Sequence, residues 1–249
     1  MMGITFRNTP QLFGIVHISA LILIILANVI LFRSLKHRKE DELLSFLHLT
    51  GLVMLLAELF KQYFCYVYVF DRSVNLWFFP WQLCSMAMYC SFLITYLKKE
   101  RQNTFLVFLA TYSLLADIIA LVLPYDMLRD QIVLTAHSFA YHGLIIAQSL
   151  AAMFILSKRN KIRFLPSVSL FLAMAGVAVI INTVSHIIFN NIYVEPNMFY
   201  ITFSYPTTQP VFHEIAVRYG IFTEIVIYLS LITAFSYLLF IIEQKFFRK

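Results

Sequence analysis

Charged residues and cysteines are scarce in this sequence, and each shortage excludes a class of protein. Lys, Arg, Asp and Glu make up 13% of the 249 residues, whereas an average soluble domain carries about 25%. All three cysteines, Cys65, Cys84 and Cys90, fall inside apolar segments. The sequence therefore indicates neither a soluble domain nor a disulfide framework nor a Cys-x-x-Cys metal site.

Apolar residues, by contrast, dominate the composition. They make up 61% of the chain, and the mean hydropathy is +0.79, which is typical of an integral membrane protein. The formal net charge is +6, but the basic residues are confined to short segments between apolar runs. Basic residues in such places set membrane orientation, so we predict no nucleic-acid partner.

Seven apolar segments are long enough to cross a bilayer as helices. A hydrocarbon core of about 30 Å requires about 20 helical residues, and this length is reached at 11–32, 43–70, 76–97, 104–124, 131–157, 165–189 and 214–242. The first segment is longer than a signal-peptide core and lacks a cleavage site, so we expect it to be retained. The sequence thus predicts an all-α membrane protein, one seven-transmembrane-helix bundle over residues 1–249, without a cofactor.

The arginines and lysines between these segments predict an orientation. From the N-terminus, the eight flanking segments hold one, four, one, three, one, four, none and three of them. Basic residues concentrate on the cytoplasmic side of a membrane. We therefore predict a multi-pass protein of the cell membrane, with its N-terminus outside and its C-terminus in the cytoplasm.

Polar side chains within the predicted helices are concentrated in the half of the bundle that faces outside. A charged group inside a membrane costs about 2.5 kcal/mol or more unless it is paired or faces a wet cavity. We interpret these groups as the lining of a cavity open to the outer side. The cavity set is Glu58, Gln82, His137, Asn182, His186, Arg218 and Glu224.

Several polar residues also have purely structural explanations. Glu58 lies three residues before Lys61, and Glu214 lies four residues before Arg218. Each pair is spaced to neutralise its charges on one helix face. Asp117 lies in the outer half of the fourth segment, where closeness to the membrane interface is a sufficient explanation.

One thiol lies at the depth of these polar groups and predicts a specific chemistry. A cysteine becomes a nucleophile beside a base, and histidine is the usual base. Cys84 on the third segment and His142 on the fifth lie at similar depth, so we predict that they act as nucleophile and base. His137 competes for the second role, but it lies about 140° around the helix from His142. The oxyanion of acyl transfer needs hydrogen-bond donors. The candidates are Gln82, Asn182 and the backbone near Pro80.

Three stretches of the sequence resemble a known family. They are Phe79-Pro-Trp-Gln-Leu-Cys-Ser-Met-Ala-Met-Tyr89, the pair His142-Gly143, and Asn197-Met-Phe-Tyr200 with the prolines that follow. They are similar to the YwaF-like family of bacterial integral membrane proteins, which is related to an animal transmembrane protein described as a cysteine-dependent acyltransferase that remodels ether phospholipids. The resemblance implies seven helices, with Cys84 as the acyl-accepting cysteine and His142 as the base. Trp81 and Gln82 stand where the family's Pro-Leu-His-Leu-Cys pattern has Leu and His.

Three functions fit the sequence. The leading hypothesis is a lipid acyltransferase in which Cys84 takes an acyl group from a membrane phospholipid and passes it to a lysolipid. The alternative is a non-enzymatic receptor or small-molecule transporter, because an outward polar cavity suits ligand capture equally well. The third is a membrane zinc hydrolase using His137, His142 and His186, although no His-x-x-x-His pair supports it. Membrane phospholipids are the expected partners, and the sequence leaves a homo-oligomer open.

Overall fold

The computed structural model describes residues 5–189 and 196–247, and this part of the chain is all-helical. Its eight helices are α1 (Ile15–Leu35), α2 (Glu40–Val69), α3 (Ser85–Leu93), α4 (Lys99–Val122), α5 (Ile132–Ser157), α6 (Leu165–Phe189), α7 (Pro210–Tyr219) and α8 (Ile221–Phe247). These residues form no strand beyond one isolated bridge between Thr5 and Gln131. The predicted all-α class is confirmed.

Six of these helices are long and apolar enough to cross a membrane. They are α1, α2, α4, α5, α6 and α8. This agrees with the predicted multi-pass membrane protein, but the predicted count of seven spans is not confirmed. The orientation of the two ends in the membrane stays a prediction.

The third predicted segment, 76–97, is the one that does not form a spanning helix. It contains only the nine residues of α3, flanked by 3₁₀ turns at Leu76–Phe78 and Ile94–Tyr96. Pro80 disfavours helical dihedrals at the residue before it, and Phe79 is extended, with φ −59° and ψ 133°. The helix therefore begins only after Cys84, which brings this thiol to a helix N-terminus.

The last predicted segment, 214–242, is also interrupted. Gly220 adopts φ 89° and ψ 152°, a left-handed φ that favours glycine, and it separates α7 from α8. Arg218 on α7 lies 3.6 Å from Glu214, and their side chains are 70% and 64% exposed. Arg218 therefore forms a surface ion pair instead of lining the cavity with the other predicted residues.

Two of the long helices contain a π-helical turn, at Cys65–Val69 in α2 and at Leu109–Ser113 in α4. A π turn takes in one additional residue, so it rotates the face presented by the following residues by about 100°. In α4 this rotation comes one turn before Asp117. The π turn therefore determines which neighbour this carboxylate faces.

The helix α5 lies at the centre of the bundle. It contacts α1, α2, α3, α4 and α8, and 72% of its most apolar stretch is buried, against 17% in α1 and in α8. Because α5 is surrounded by other helices, polar side chains on it meet protein instead of lipid. Its first half lies at the end of the bundle where Thr5 meets Gln131, which we call the site end.

Gly51 of α2 allows α2 and α3 to approach closely. A Cβ atom added there would lie 2.4 Å from the Phe92 nitrogen and 2.8 Å from its Cα. We expect Gly51→Ala to force the two backbones apart and to lower the free energy of unfolding by about 1–3 kcal/mol, measured by thermal unfolding in detergent. Gly176→Ala on α6 is the matched control, because its Cβ would meet nothing within 4 Å. Equal melting temperatures for the two variants would contradict this close packing.

Candidate active site

The thiol of Cys84 lies at the start of α3. Cys84 is the N-cap of this helix, with φ −64° and ψ −34°, and it is half-buried. The first N–H groups of α3, those of Ser85, Met86 and Ala87, donate to carbonyls of the preceding turn. The N-terminus of a helix also carries a partial positive charge, which stabilises negative charge beside the sulfur.

His142 contacts both the thiol and a carboxylate. It lies on α5 and is 7% exposed. Its Nδ1 atom is 2.5 Å from Oδ1 of Asp117, a fully buried residue of α4, and Cys84 is its other side-chain hydrogen-bond partner. Because Nδ1 is held by Asp117, the nitrogen available to Cys84 is Nε2. The predicted nucleophile and base are therefore brought together, and a carboxylate orients the base.

Cys84, His142 and Asp117 follow one another at the site, and Asp117 is the one whose role we did not predict from the sequence. Its second carboxylate oxygen, Oδ2, has no hydrogen-bond partner in the described part of the chain. A buried carboxylate in a membrane is costly unless it is paired, and the histidine is its partner. That cost is the signal in the sequence that could have indicated it.

Three tyrosines complete the surroundings of the sulfur. Tyr141, Tyr200 and Tyr228 each lie within electrostatic reach of Cys84. Tyr141 is also beside His142, with 6.4 Å between the ring centroids. Sequence reasoning did not select the tyrosines, because aromatic residues near a membrane interface are common without any function. Their phenol groups make the surroundings of the thiol partly polar.

Gln82 and Asn182 both bind the backbone of the 197–202 turn. Gln82 donates to the Asn197 carbonyl at 3.2 Å and accepts from the Phe199 N–H at 3.0 Å. Asn182 donates to the Met198 carbonyl at 3.1 Å and accepts from its N–H at 2.7 Å. Both amides are therefore engaged in positioning this turn, instead of being free to donate to an oxyanion as we expected.

The conformation of the turn explains why it needs two amides. Phe199 and Tyr200 have φ of 58° and 59°, a left-handed conformation that costs non-glycine residues about 1 kcal/mol or more each. Phe199 is 1% exposed. Hydrogen bonds to the backbone on both sides offset this strain and hold Tyr200 near Cys84.

We expect Gln82→Ala to loosen the 197–202 turn. It leaves the Phe199 N–H without its acceptor, which costs about 1–3 kcal/mol for a buried group, and amide hydrogen exchange over the turn should become faster. Gln82→Glu is the matched control, because it keeps the acceptor for Phe199 and should change exchange less. Unchanged exchange in Gln82→Ala would show that the amide does not hold the turn.

The remaining predicted residues lie around this centre. Glu58 is buried and binds Lys61 at 2.8 Å and Gln62 at 2.7 Å. Its pairing with Lys61 is the structural explanation that the sequence offered for this residue. His137 stacks on Tyr141 with 5.6 Å between ring centroids, whereas His142 is the histidine that contacts the thiol.

Glu224 lies on α8 and His186 lies on α6, the long helices after and before α7 in the chain. Glu224 is 1% exposed and lies one turn before Tyr228 on α8, with which it interacts. His186 is half-buried on α6. Within residues 5–189 and 196–247, no group of three or more His, Cys, Asp or Glu side chains is arranged to hold a metal ion. The histidines of the zinc hypothesis thus do not converge on one another.

Six helices long and apolar enough to cross a membrane, with a half-buried thiol beside a buried imidazole and carboxylate, define the class: a multi-pass membrane protein with a cysteine-centred polar site. A comparison with protein families is more specific: residues 12–242 match the TMEM164 family, and the chain belongs to that family. The match covers nearly the whole chain and supports the relation to the animal membrane protein implied by the sequence resemblance, but it does not confirm the YwaF-like name. Comparisons with curated proteins and with solved structures found no match.

Proposed function

We propose that the chain is a membrane lipid acyltransferase that carries the acyl group on Cys84. The observation that carries the proposal is the series Cys84, His142 and Asp117, in which thiol, imidazole and carboxylate follow one another in hydrogen-bond contact. This is the order of nucleophile, base and orienting acid in covalent acyl transfer. Membership of the TMEM164 family is compatible with it.

In the first half of the reaction, the sulfur of Cys84 attacks the ester carbonyl of a phospholipid. The thiol proton passes to Nε2 of His142, and the Asp117 carboxylate stabilises the imidazolium that results. The tetrahedral intermediate then collapses, the C–O bond of the ester breaks, and His142 gives the proton to the leaving oxygen. A lysophospholipid and a thioester on Cys84 are the products.

In the second half, the hydroxyl of an acceptor lysolipid takes the place of the leaving group. His142 accepts its proton, the oxygen attacks the thioester, and the C–S bond breaks. The proton returns to the sulfur, so the reaction exchanges one ester for another without net proton uptake or release. No co-reactant beyond the two lipids is needed.

The two oxyanions need a positive potential at the sulfur. Since Gln82 and Asn182 bind the 197–202 turn, we assign this role to the dipole of α3, whose N-terminus lies at Cys84, and to Tyr228, which lies within electrostatic reach of Cys84. Helix N-termini and hydroxyl dipoles near a developing oxyanion are typical stabilisers of this transition state.

Burial of the site favours transfer of the acyl group over its hydrolysis. His142 and Asp117 are 7% and 0% exposed, so bulk water has little access to the base that would activate it for attack on the thioester. The alternation of basic residues leads us to propose that the site end faces the outer side of the cell membrane. The substrates would then be phospholipids of the outer leaflet.

The proposal is tested by following acyl exchange in proteoliposomes. Purified protein is reconstituted with phosphatidylcholine and phosphatidylethanolamine that carry an isotope-labelled acyl chain, together with an unlabelled lysophospholipid. Mass spectrometry should detect the labelled chain on the acceptor in an amount equal to the lysolipid released from the donor. Release of free fatty acid without transfer would indicate a hydrolase, and the absence of both products would overturn the proposal.

A further inference from the structure

A pocket at the site end is not used by the chemistry described above. It has a volume of about 500 Å³ and lies between the α2–α3 connection and the α4–α5 connection. Aromatic rings, two carboxylates and one guanidinium line it together. Its principal residues are Phe70, Trp77, Phe78, Asp126, Arg129 and Asp130.

Tyr200 contacts two residues of the pocket lining, Asp126 and Trp77, and lies near the reaction centre. Its hydroxyl donates to Oδ2 of Asp126 at 2.6 Å, and its ring meets that of Trp77 edge-on with 6.1 Å between centroids. It also lies within electrostatic reach of Cys84. Burial, together with the Asp126 carboxylate, raises the pKa of Tyr200 well above its usual value, so the hydroxyl remains a donor. Tyr200 therefore lies between the pocket lining and the side of the site where the sulfur is.

The charges of the pocket are arranged for a ligand of mixed charge. Arg129 donates through Nε to the Asp126 carbonyl at 2.9 Å, and its guanidinium lies over the Phe78 ring at 5.4 Å. Its Nη2 also lies 3.5 Å from Oδ1 of Asp126, so the two groups form an ion pair. The side chains of Arg129 and Asp126 are still 31% and 53% exposed, which leaves both accessible to a ligand. A guanidinium binds phosphate oxygens, whereas carboxylates beside a tryptophan face bind an ammonium group.

We propose that this pocket binds the headgroup of a zwitterionic phospholipid, with its phosphate at Arg129 and its ammonium group at Asp126, Asp130 and Trp77. Two carboxylates against one guanidinium make the lining unfavourable for a headgroup with a net negative charge. The assignment rests on the proposed acyl transfer, because it is the phospholipid substrate that is held here. Headgroup binding in the pocket would place the ester bonds beyond Tyr200, towards Cys84.

Binding can be measured separately from the reaction. The chain has two tryptophans, Trp77 and Trp81, so Trp77 alone reports on the pocket in a Trp81→Phe background. The probes are short-chain dihexanoyl phosphatidylcholine, phosphatidylethanolamine and phosphatidylglycerol, titrated against the protein in nanodiscs. We expect the two zwitterionic lipids to bind about tenfold more tightly than phosphatidylglycerol.

Three variants decide whether the named side chains are responsible. Asp126→Asn combined with Asp130→Asn should remove the preference for zwitterionic lipids, and Arg129→Gln should weaken binding of all three about tenfold. Arg218→Gln is the matched control, since this arginine is exposed on α7, and it should bind as the parent does. The double aspartate variant is close to isosteric, which keeps the test valid if Arg129→Gln unfolds.

The outcomes of these experiments test headgroup binding in the pocket separately from the proposed acyl transfer. Equal affinity for the three lipids, or a preference unchanged by the aspartate substitutions, would overturn the headgroup assignment. Zwitterionic binding that depends on Asp126 and Asp130 in a protein that shows no acyl exchange would support the pocket and overturn the proposed reaction. Acyl exchange that does not depend on the headgroup or on these substitutions would support the proposed reaction and overturn the headgroup assignment.

Discussion

Replacement of Cys84 by alanine is expected to abolish acyl transfer, with a loss on the order of 10⁶-fold, as for removal of other covalent nucleophiles. The reason is that Cys84 is the nucleophile beside the base: it is a side-chain hydrogen-bond partner of His142, whose other nitrogen is held by Asp117. The rate of labelled acyl exchange in proteoliposomes measures the effect.

The two other cysteines provide the controls for this variant. Cys65 and Cys90 are 2% and 0% exposed, and neither is a hydrogen-bond partner of His142. Cys65→Ala and Cys90→Ala should therefore keep exchange within about threefold of the parent, as expected for substitutions outside the reacting groups. Persistent exchange in Cys84→Ala, or equal losses in all three variants, would contradict the role of this thiol.

Asp117→Asn is expected to lower the rate of acyl exchange about 10⁴-fold while leaving the protein folded, by analogy with other triads. The asparagine amide can offer an N–H to Nδ1 of His142, and this favours the tautomer that carries a proton on Nε2. A protonated Nε2 cannot accept the proton of Cys84. The measurement is the exchange rate together with the melting temperature of the variant.

Asp41→Asn serves as the control for loss of a carboxylate. Asp41 is exposed in the first turn of α2, at the end of that helix opposite the site, and its replacement should leave exchange unchanged. If Asp117→Asn keeps more than about one tenth of the parent rate, the carboxylate does not set the tautomer of His142. Its contact with the histidine would then only neutralise a buried charge.

The long helices were predictable from the sequence because the bilayer imposes their length. Segments 131–157 and 165–189 agree with α5 and α6 to within one residue at each end. The segment 76–97 was not predictable in the same way, since its apolar composition satisfies a length criterion while Pro80 prevents a continuous helix. Gly220 has the same effect in the segment 214–242, where a single left-handed residue ends one helix and begins the next.

The nucleophile and base of the candidate site were predictable from the sequence, but the contacts of Asp117 and Gln82 were not. Cys84 and His142 could be paired by depth, because both segments were assigned the same direction of insertion. Asp117 could not be matched to His142, since the order in which helices pack is not written in residue spacings, and the π turn at Leu109–Ser113 changes the face that the carboxylate presents. The role of Gln82 depends on the left-handed conformation of Phe199, which no local signal in the sequence indicates.

The most direct test of the central claim is detection of the acyl-enzyme itself. Purified protein is incubated with a phospholipid that carries an alkyne-tagged acyl chain, in the absence of acceptor, and the tag is located by peptide mass spectrometry. The proposed mechanism predicts a hydroxylamine-labile acyl label on Cys84 that is lost in Cys84→Ala and chased from the protein by added lysophospholipid. A label of equal strength in the Cys84→Ala variant would contradict it.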